Sequence, residues 1–318
     1  MEFITSKYKR MITLSLLIFG GTLLTLFIFG TFWDYQIAGG MMADHGGGAY
    51  WAFGIPLEVL GFLPAILVNV ALFMALSVHC KKRVYKVLFF ILGYNFLAGA
   101  IFCSVFWTMS NHYIADLSSS VAFGISAGIA LPLSFPVRLL FTKIKNEQTM
   151  RRLVYVLGIG FIMASFTNLI TGVMQVTWGR YRFFEVVNNN RTFTEWFRPF
   201  GRISGFEGHG ATSFPSLHAS SVMSMMVLPM VGWALGSKRN TMRILWIISA
   251  VMLICVPISR MVLGWHYLTD VMFSMIIGVL MFALAMFIVH KLFRNKVGNF
   301  LGIQKSNTQD IKEGNIEN

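Results

Sequence analysis

Three short clusters in this 318-residue chain hold the residue types that phosphoryl transfer requires. One runs Ser259-Arg260, then five residues, His266, three residues and Asp270. At a spacing of i, i+4 on a helix, His266 and Asp270 share a face. The carboxylate is then expected to accept the imidazole Nδ1 proton, leaving Nε2 as a nucleophile. A second cluster, Phe214-Pro215-Ser216-Leu217-His218, reads as a helix start. Ser216 as N-cap aims free N–H groups and the positive dipole end at an anion. His218, one turn in, is placed to protonate a departing alkoxide. The third cluster, Gln175 to Phe183, carries Arg180 and Arg182. With Arg260, these guanidiniums suit the equatorial oxygens of a transferring phosphoryl group.

Each residue also has a plainer reading on its own. A histidine near a membrane surface is more often hydrogen-bonded than catalytic, an aspartate can be a first-turn charge, and a serine merely a cap. What distinguishes these residues is that the elements holding them all present them at one end.

Those elements are membrane spans. Hydrophobic residues make up 56% of the chain, charged residues only 12%, and the mean hydropathy is +0.66. A soluble domain carries about 25% charged residues, so part of this surface must face lipid. Apolar runs of about 20 residues cover roughly 11–32, 56–79, 87–110, 119–141, 153–176, 217–235, 243–259 and 267–290. The fourth is interrupted by Pro132 and Pro136, and the first shows no small-residue cleavage site after it. The fold expected is all-α and polytopic, with about eight transmembrane helices.

The net charge of +13 raises the question of nucleic acid. With eight spans and both termini cytoplasmic, the basic residues gather on the inner side, as membrane topology demands. Six fall outside: Arg180, Arg182, Arg191, Arg198, Arg202 and Arg260. The charge is therefore a topology signal, and nucleic acid is excluded as a partner. All six outer cations are arginine, whose planar fork binds phosphate bidentately.

The three clusters resemble the type 2 phosphatidic acid phosphatase superfamily. Its pattern is Lys, six residues, Arg-Pro; then Pro-Ser-Gly-His; then Ser-Arg, five residues, His, three residues, Asp. The third part matches in full from Ser259 to Asp270, and the second matches with Leu217 for glycine. The first matches at Arg182, with Gln175 for the lysine and Phe183 for the proline. The resemblance implies a phosphohistidine at His266 oriented by Asp270, with His218 as acid and then base. Arg182, Arg260 and the Ser216 region would hold phosphate, and hydrolytic members need no metal or other cofactor. Arg180 is the expected stand-in for the lysine. Gln175 itself, Arg202 and His209 remain further candidates. The substrate implied is a lipid phosphate, cleaved at the extracytoplasmic face of what would be a bacterial inner membrane. Leu217 resembles branches that move phosphoalcohol groups between lipids, so a phosphotransferase is the alternative reading; a non-catalytic lipid-binding protein is a distant third.

The chain divides into N-terminal helices (1–150), a catalytic helical core (151–294) with an outer loop at 177–215, and a polar cytoplasmic tail (295–318). Helices 1–4 are outside the resemblance. Asp34 and Tyr35 read as interface anchors. The glycine-rich stretch Ser204–Gly210 reads as a connection rather than a lid. Cys80, Cys103 and Cys255 read as small hydrophobes.

Overall fold

Lipid-facing helices should carry their apolar residues outward and their polar residues inward, and these do. Residues Arg239–Val262 form a helix that exposes Ile244, Trp246, Ile247, Val251 and Ile254 while burying Ser249, Ser259 and Arg260. The computed structural model describes residues 6–44, 47–102, 119–199 and 211–294. Among them there are nine helices: α1 (Ser6–Met41), α2 (Ile55–His79), α3 (Arg83–Ile101), α4 (Ser119–Thr142), α5 (Glu147–Trp178), α6 (Phe183–Asn188), α7 (Leu217–Ala234), α8 (Arg239–Val262) and α9 (Leu268–Arg294). All but α6 are long and apolar enough to cross a membrane, eight in total. The described residues form no strand, only a single bridge between Arg180 and Thr212. The expected all-α architecture with eight spans is therefore the one found. The tail 295–318, Cys103 and the stretch Ser204–Gly210 lie outside the described residues.

Helix boundaries follow local chemistry. Asn146 caps α5, its side chain accepting from the Thr149 N–H at 3.0 Å, which satisfies one of the first-turn donors that a helix leaves free. Pro132 and Pro136, expected to interrupt the fourth span, lie inside continuous α4. Pro64 and Pro257 likewise sit within α2 and α8. A short π-helical turn, Tyr50–Gly54, leads into α2, and a 3₁₀ stretch, Met223–Val227, lies inside α7. Helix α1 departs from helical geometry at Trp33 (φ −126°, ψ 17°), one residue before Asp34.

Buried residues of α2, α5, α7 and α9, among them Leu72, Val156, Ile159, Met163, Met223, Val227 and Met275, form the main core. Helix α1 packs along α9, and α3 and α4 along α2. All three chemical clusters lie at the same end of this bundle, where α5 stops, α7 starts, α8 stops and α9 starts.

Candidate active site

Helix α5 stops at Gly179, which takes the left-handed conformation (φ 79°), and the chain continues extended through Arg180 to Arg182. There the Ser213 N–H donates to the Arg180 carbonyl at 2.9 Å, which draws the first cluster against the second. Between α8 and α9 the turn depends on Gly264 at φ 67°. A Cβ there would lie 2.6 Å from the Met42 sulfur, in addition to the backbone strain. That turn brings His266 against Ser213.

His266 Nδ1 lies 2.7 Å from the Ser213 carbonyl oxygen. A carbonyl only accepts, so Nδ1 carries the proton and Nε2 keeps its lone pair. The sequence pointed to Asp270 as the Nδ1 acceptor; the structure corrects this. The carboxylate stands 3.7 Å from Nδ1, beyond hydrogen-bond length. Its Oδ2 instead accepts from Ser213 Oγ at 2.5 Å and Tyr267 N–H at 2.8 Å. Asp270 thus orients His266 at one remove, through Ser213. Burial pushes the His266 imidazole below its ordinary range, against the opposing pull of Asp270, so the ring is neutral at neutral pH.

Arg180 is the second correction. Expected at the phosphate, it is buried with all three guanidinium nitrogens engaged by protein. Nε donates to the Thr194 carbonyl at 2.9 Å, and Nη1 to Thr269 Oγ1 at 2.9 Å and Asp270 Oδ1 at 2.5 Å. Nη2 donates to Asp34 Oδ2 at 2.8 Å, and the Tyr267 ring lies 4.0 Å from the guanidinium carbon. Two buried carboxylates within reach outcompete any exposed anion. Asp34, expected as an interface anchor, is accordingly buried and holds Arg180. Tyr35 packs edge-on against Phe183 and Phe193.

Arg182 is different. It is also buried, and its Nη2 reaches Thr212 Oγ1 at 3.3 Å, but Nε and Nη1 have no hydrogen-bond partner among the described residues. Burial lowers its pKa to about 10, which leaves it charged at neutral pH. Its guanidinium lies 4.7 Å from the Trp265 ring, which Arg260 also approaches at 5.8 Å. Arg260, in the last turn of α8, donates from Nη2 to the Gly54 carbonyl at 3.2 Å and from Nε to Ser259 Oγ at 3.2 Å. Its Nη1 makes no hydrogen bond among the described residues and stands 3.9 Å from Glu58 Oε2.

His218 lies beneath the Phe62 ring (centroids 4.0 Å apart), with Nε2 buried and without a hydrogen-bond partner among the described residues. A Cβ at Gly61 would come within 2.8 Å of its Cδ2, so only glycine admits the ring there. Ser216 takes the expected N-cap place, its Oγ accepting from the Ala219 N–H at 3.4 Å. Its own N–H donates to the Asp270 carbonyl at 3.2 Å, which ties α7 to α9. Gln175 is half-buried in the last turns of α5. Arg202 and His209 lie outside the described residues.

The structure therefore brings His266, Asp270, His218, Arg182, Arg260, Ser216 and Arg180 together, the last as a brace. Sequence reasoning missed Asp34, Glu58, Gly54, Phe62 and Ser213. The signal for the first two was present, since an acid inside an apolar span is costly unless it serves a partner. Arg182, Arg260, His218 and His266 lie close enough for their charges to act on one another. Buried nitrogens without partners are rare and costly. Here Arg182 Nε and Nη1, Arg260 Nη1 and His218 Nε2 form a cationic, hydrogen-bonding set beside a neutral imidazole, which suits a tetrahedral oxyanion.

Comparison with curated proteins and with solved structures finds no match. The PAP2 superfamily model matches residues 155–294, which span α5 to α9 and hold all three clusters. Over residues 155–294 this chain matches the PAP2 superfamily, whose chemistry is phosphatase-type phosphoryl transfer.

Proposed function

We propose that the protein hydrolyses a phosphate monoester or pyrophosphate of a membrane lipid, at the extracytoplasmic face, through a phosphohistidine at His266. The observation that carries this is the neutral His266, its Nδ1 proton held by Ser213, set among buried arginine nitrogens that have no hydrogen-bond partner among the described residues. His266 Nε2 attacks phosphorus, a P–N bond forms and the bond to the leaving oxygen breaks. His218 Nε2 gives that oxygen its proton. Water then attacks phosphorus, His218 takes the proton back, and the P–N bond breaks to release phosphate. Arg182 and Arg260 neutralise the equatorial oxygens at both steps. The step routes through no metal.

The depth of the site supports a lipid substrate. His218 lies in the first turn of α7, Arg260 in the last turn of α8 and Asp270 in the first turn of α9. A headgroup phosphate at the ends of these spans would meet the site at that level. The assay is phosphate release by the purified protein from phosphatidate, polyprenyl pyrophosphate, lipid A and sphingoid phosphate, with and without an alcohol acceptor. Free phosphate without an acceptor is the expected result. Product only with an acceptor identifies a transferase, and saturable binding without turnover identifies a non-enzyme.

Orientation rests on the basic residues gathered at the opposite end. Asn189, exposed at the end of α6, reports on it. Asn189→Cys is expected to react with an impermeant thiol reagent in intact cells, above the background of the unaltered protein. Labelling only after lysis reverses the orientation.

A further inference from the structure

We propose that Asp34 is a positioning residue for His266, acting through Arg180 and Asp270, so that α1 is a working part of the site and not only an anchor. Asp34 lies outside the family-matched region, yet its contacts converge on the start of α9. Oδ1 accepts from the Thr269 N–H at 3.0 Å, and Oδ2 accepts from Thr269 Oγ1 and from Arg180 Nη2. Thr269 immediately precedes Asp270, so one carboxylate fixes both the backbone beside Asp270 and the guanidinium bonded to it.

The chain of contacts then runs from Arg180 Nη1 to Asp270 Oδ1, from Asp270 Oδ2 to Ser213 Oγ, and from the Ser213 carbonyl to His266 Nδ1. Asp34 is buried, and a buried carboxylate is costly unless paired and hydrogen-bonded. Arg180 meets that requirement for Asp34 and Asp270 at once. With Asp34 neutral, Arg180 would be drawn wholly onto Asp270 and the Thr269 N–H would lose its charged acceptor. The carboxylate holding Ser213 would shift, and His266 with it. The kink at Trp33 brings Asp34 to this point.

This inference rests on the phosphatase reading for its effect on rate, but not for its effect on His266. The test compares Asp34→Asn, Asp34→Glu and the unaltered protein in detergent micelles. Turnover is read with p-nitrophenyl phosphate and dioctanoyl phosphatidate. Asp34→Asn is expected to lower kcat roughly a hundredfold, the scale of a misplacement of about 1 Å, with KM within about twofold. Asp34→Glu, which keeps the charge, is expected to recover part of the loss. Introduced on top of Asp270→Asn, Asp34→Asn should add little, because the two act in series.

The second readout is the His266 titration, followed by NMR with labelled histidine. The charged groups facing His266 are Asp270, Arg182 and His218. Removing the Asp34 charge leaves Arg180 less compensated, so the His266 midpoint is expected to fall. A purely structural Asp34 would lower the thermal unfolding midpoint while the folded protein kept its kcat and its His266 midpoint, and that outcome overturns the proposal. If the unaltered protein releases phosphate from neither probe, the phosphatase reading falls and the His266 midpoint alone decides the positioning role.

Discussion

His266→Ala is expected to lower turnover by about a thousandfold or more, the scale seen when a nucleophile that works as part of a unit is removed. The other histidine at the site cannot replace it. His218 is pinned between Gly61 and Phe62 on α2, and the proposed mechanism needs it on the leaving-oxygen side. The protein itself should survive, because the substitution removes one hydrogen bond, to the Ser213 carbonyl, worth about 1 kcal/mol. Near-unchanged thermal unfolding combined with lost turnover is the expected pair of results. The same residue sets the acid side of the pH profile. Burial lowers the His266 pKa, so the neutral, nucleophilic form persists to lower pH than an ordinary histidine at about 6.5. The acid limb of kcat/KM is accordingly expected below that value. A limb above it would mean that the nucleophile is protonated too readily for the environment described.

Arg182 and Arg180 are two residues apart and are expected to fail in different ways. Arg182 has Nε and Nη1 without hydrogen-bond partners among the described residues, so Arg182→Ala removes a proposed phosphate donor. The expected cost is roughly 10²- to 10³-fold in kcat, the scale of losing one charge-stabilising donor, with modest loss of stability. Arg182→Lys should recover little, since a point charge does not reproduce the fork. Arg180→Ala instead leaves Asp34 and Asp270 buried without a shared cation. Breaking a buried pair from one side costs about 3–5 kcal/mol, so a large fall in thermal stability is expected, and the protein that stays folded should also lose kcat because Asp270 and Ser213 are no longer held. Thermal unfolding alongside turnover separates the two variants. Wild-type stability in Arg180→Ala would mean that the two carboxylates do not depend on it.

The legible part of this molecule was the part whose partners lie close in sequence. Spans followed from composition, and the cap at Ser216 followed from one residue type at a helix start. His266 and Asp270 fell on one face of a single turn, as i, i+4 spacing requires. Even there the sequence misjudged the contact, because the acceptor of the His266 proton is a backbone carbonyl at Ser213, and backbone acceptors leave no mark in residue types. Arg180 and Arg182 were indistinguishable for a related reason. Both lie on an extended segment after Gly179, and which one meets phosphate depends on where a carboxylate 146 residues away is placed. Asp34 and Glu58 were legible only as anomalies, acids within apolar runs. Their meaning required knowing that α1 packs on α9, and that the start of α2 approaches the end of α8. The prolines of α4 misled in the opposite direction, since a helix packed beside neighbours in a membrane tolerates them.

The most direct test of the account is to trap the covalent intermediate. The purified protein is mixed with a lipid phosphate labelled in its terminal phosphoryl group, quenched in alkali within the first turnover, and digested to map the label. A phosphoramidate is stable in alkali and labile in acid, so label on the peptide containing His266, lost in acid, is the predicted result. It should be absent from His266→Ala and, with a labelled substrate whose leaving group needs no acid, should accumulate in His218→Ala, where the base for the attacking water is missing. Turnover that proceeds without protein-bound label, or with label on another residue, would contradict the account.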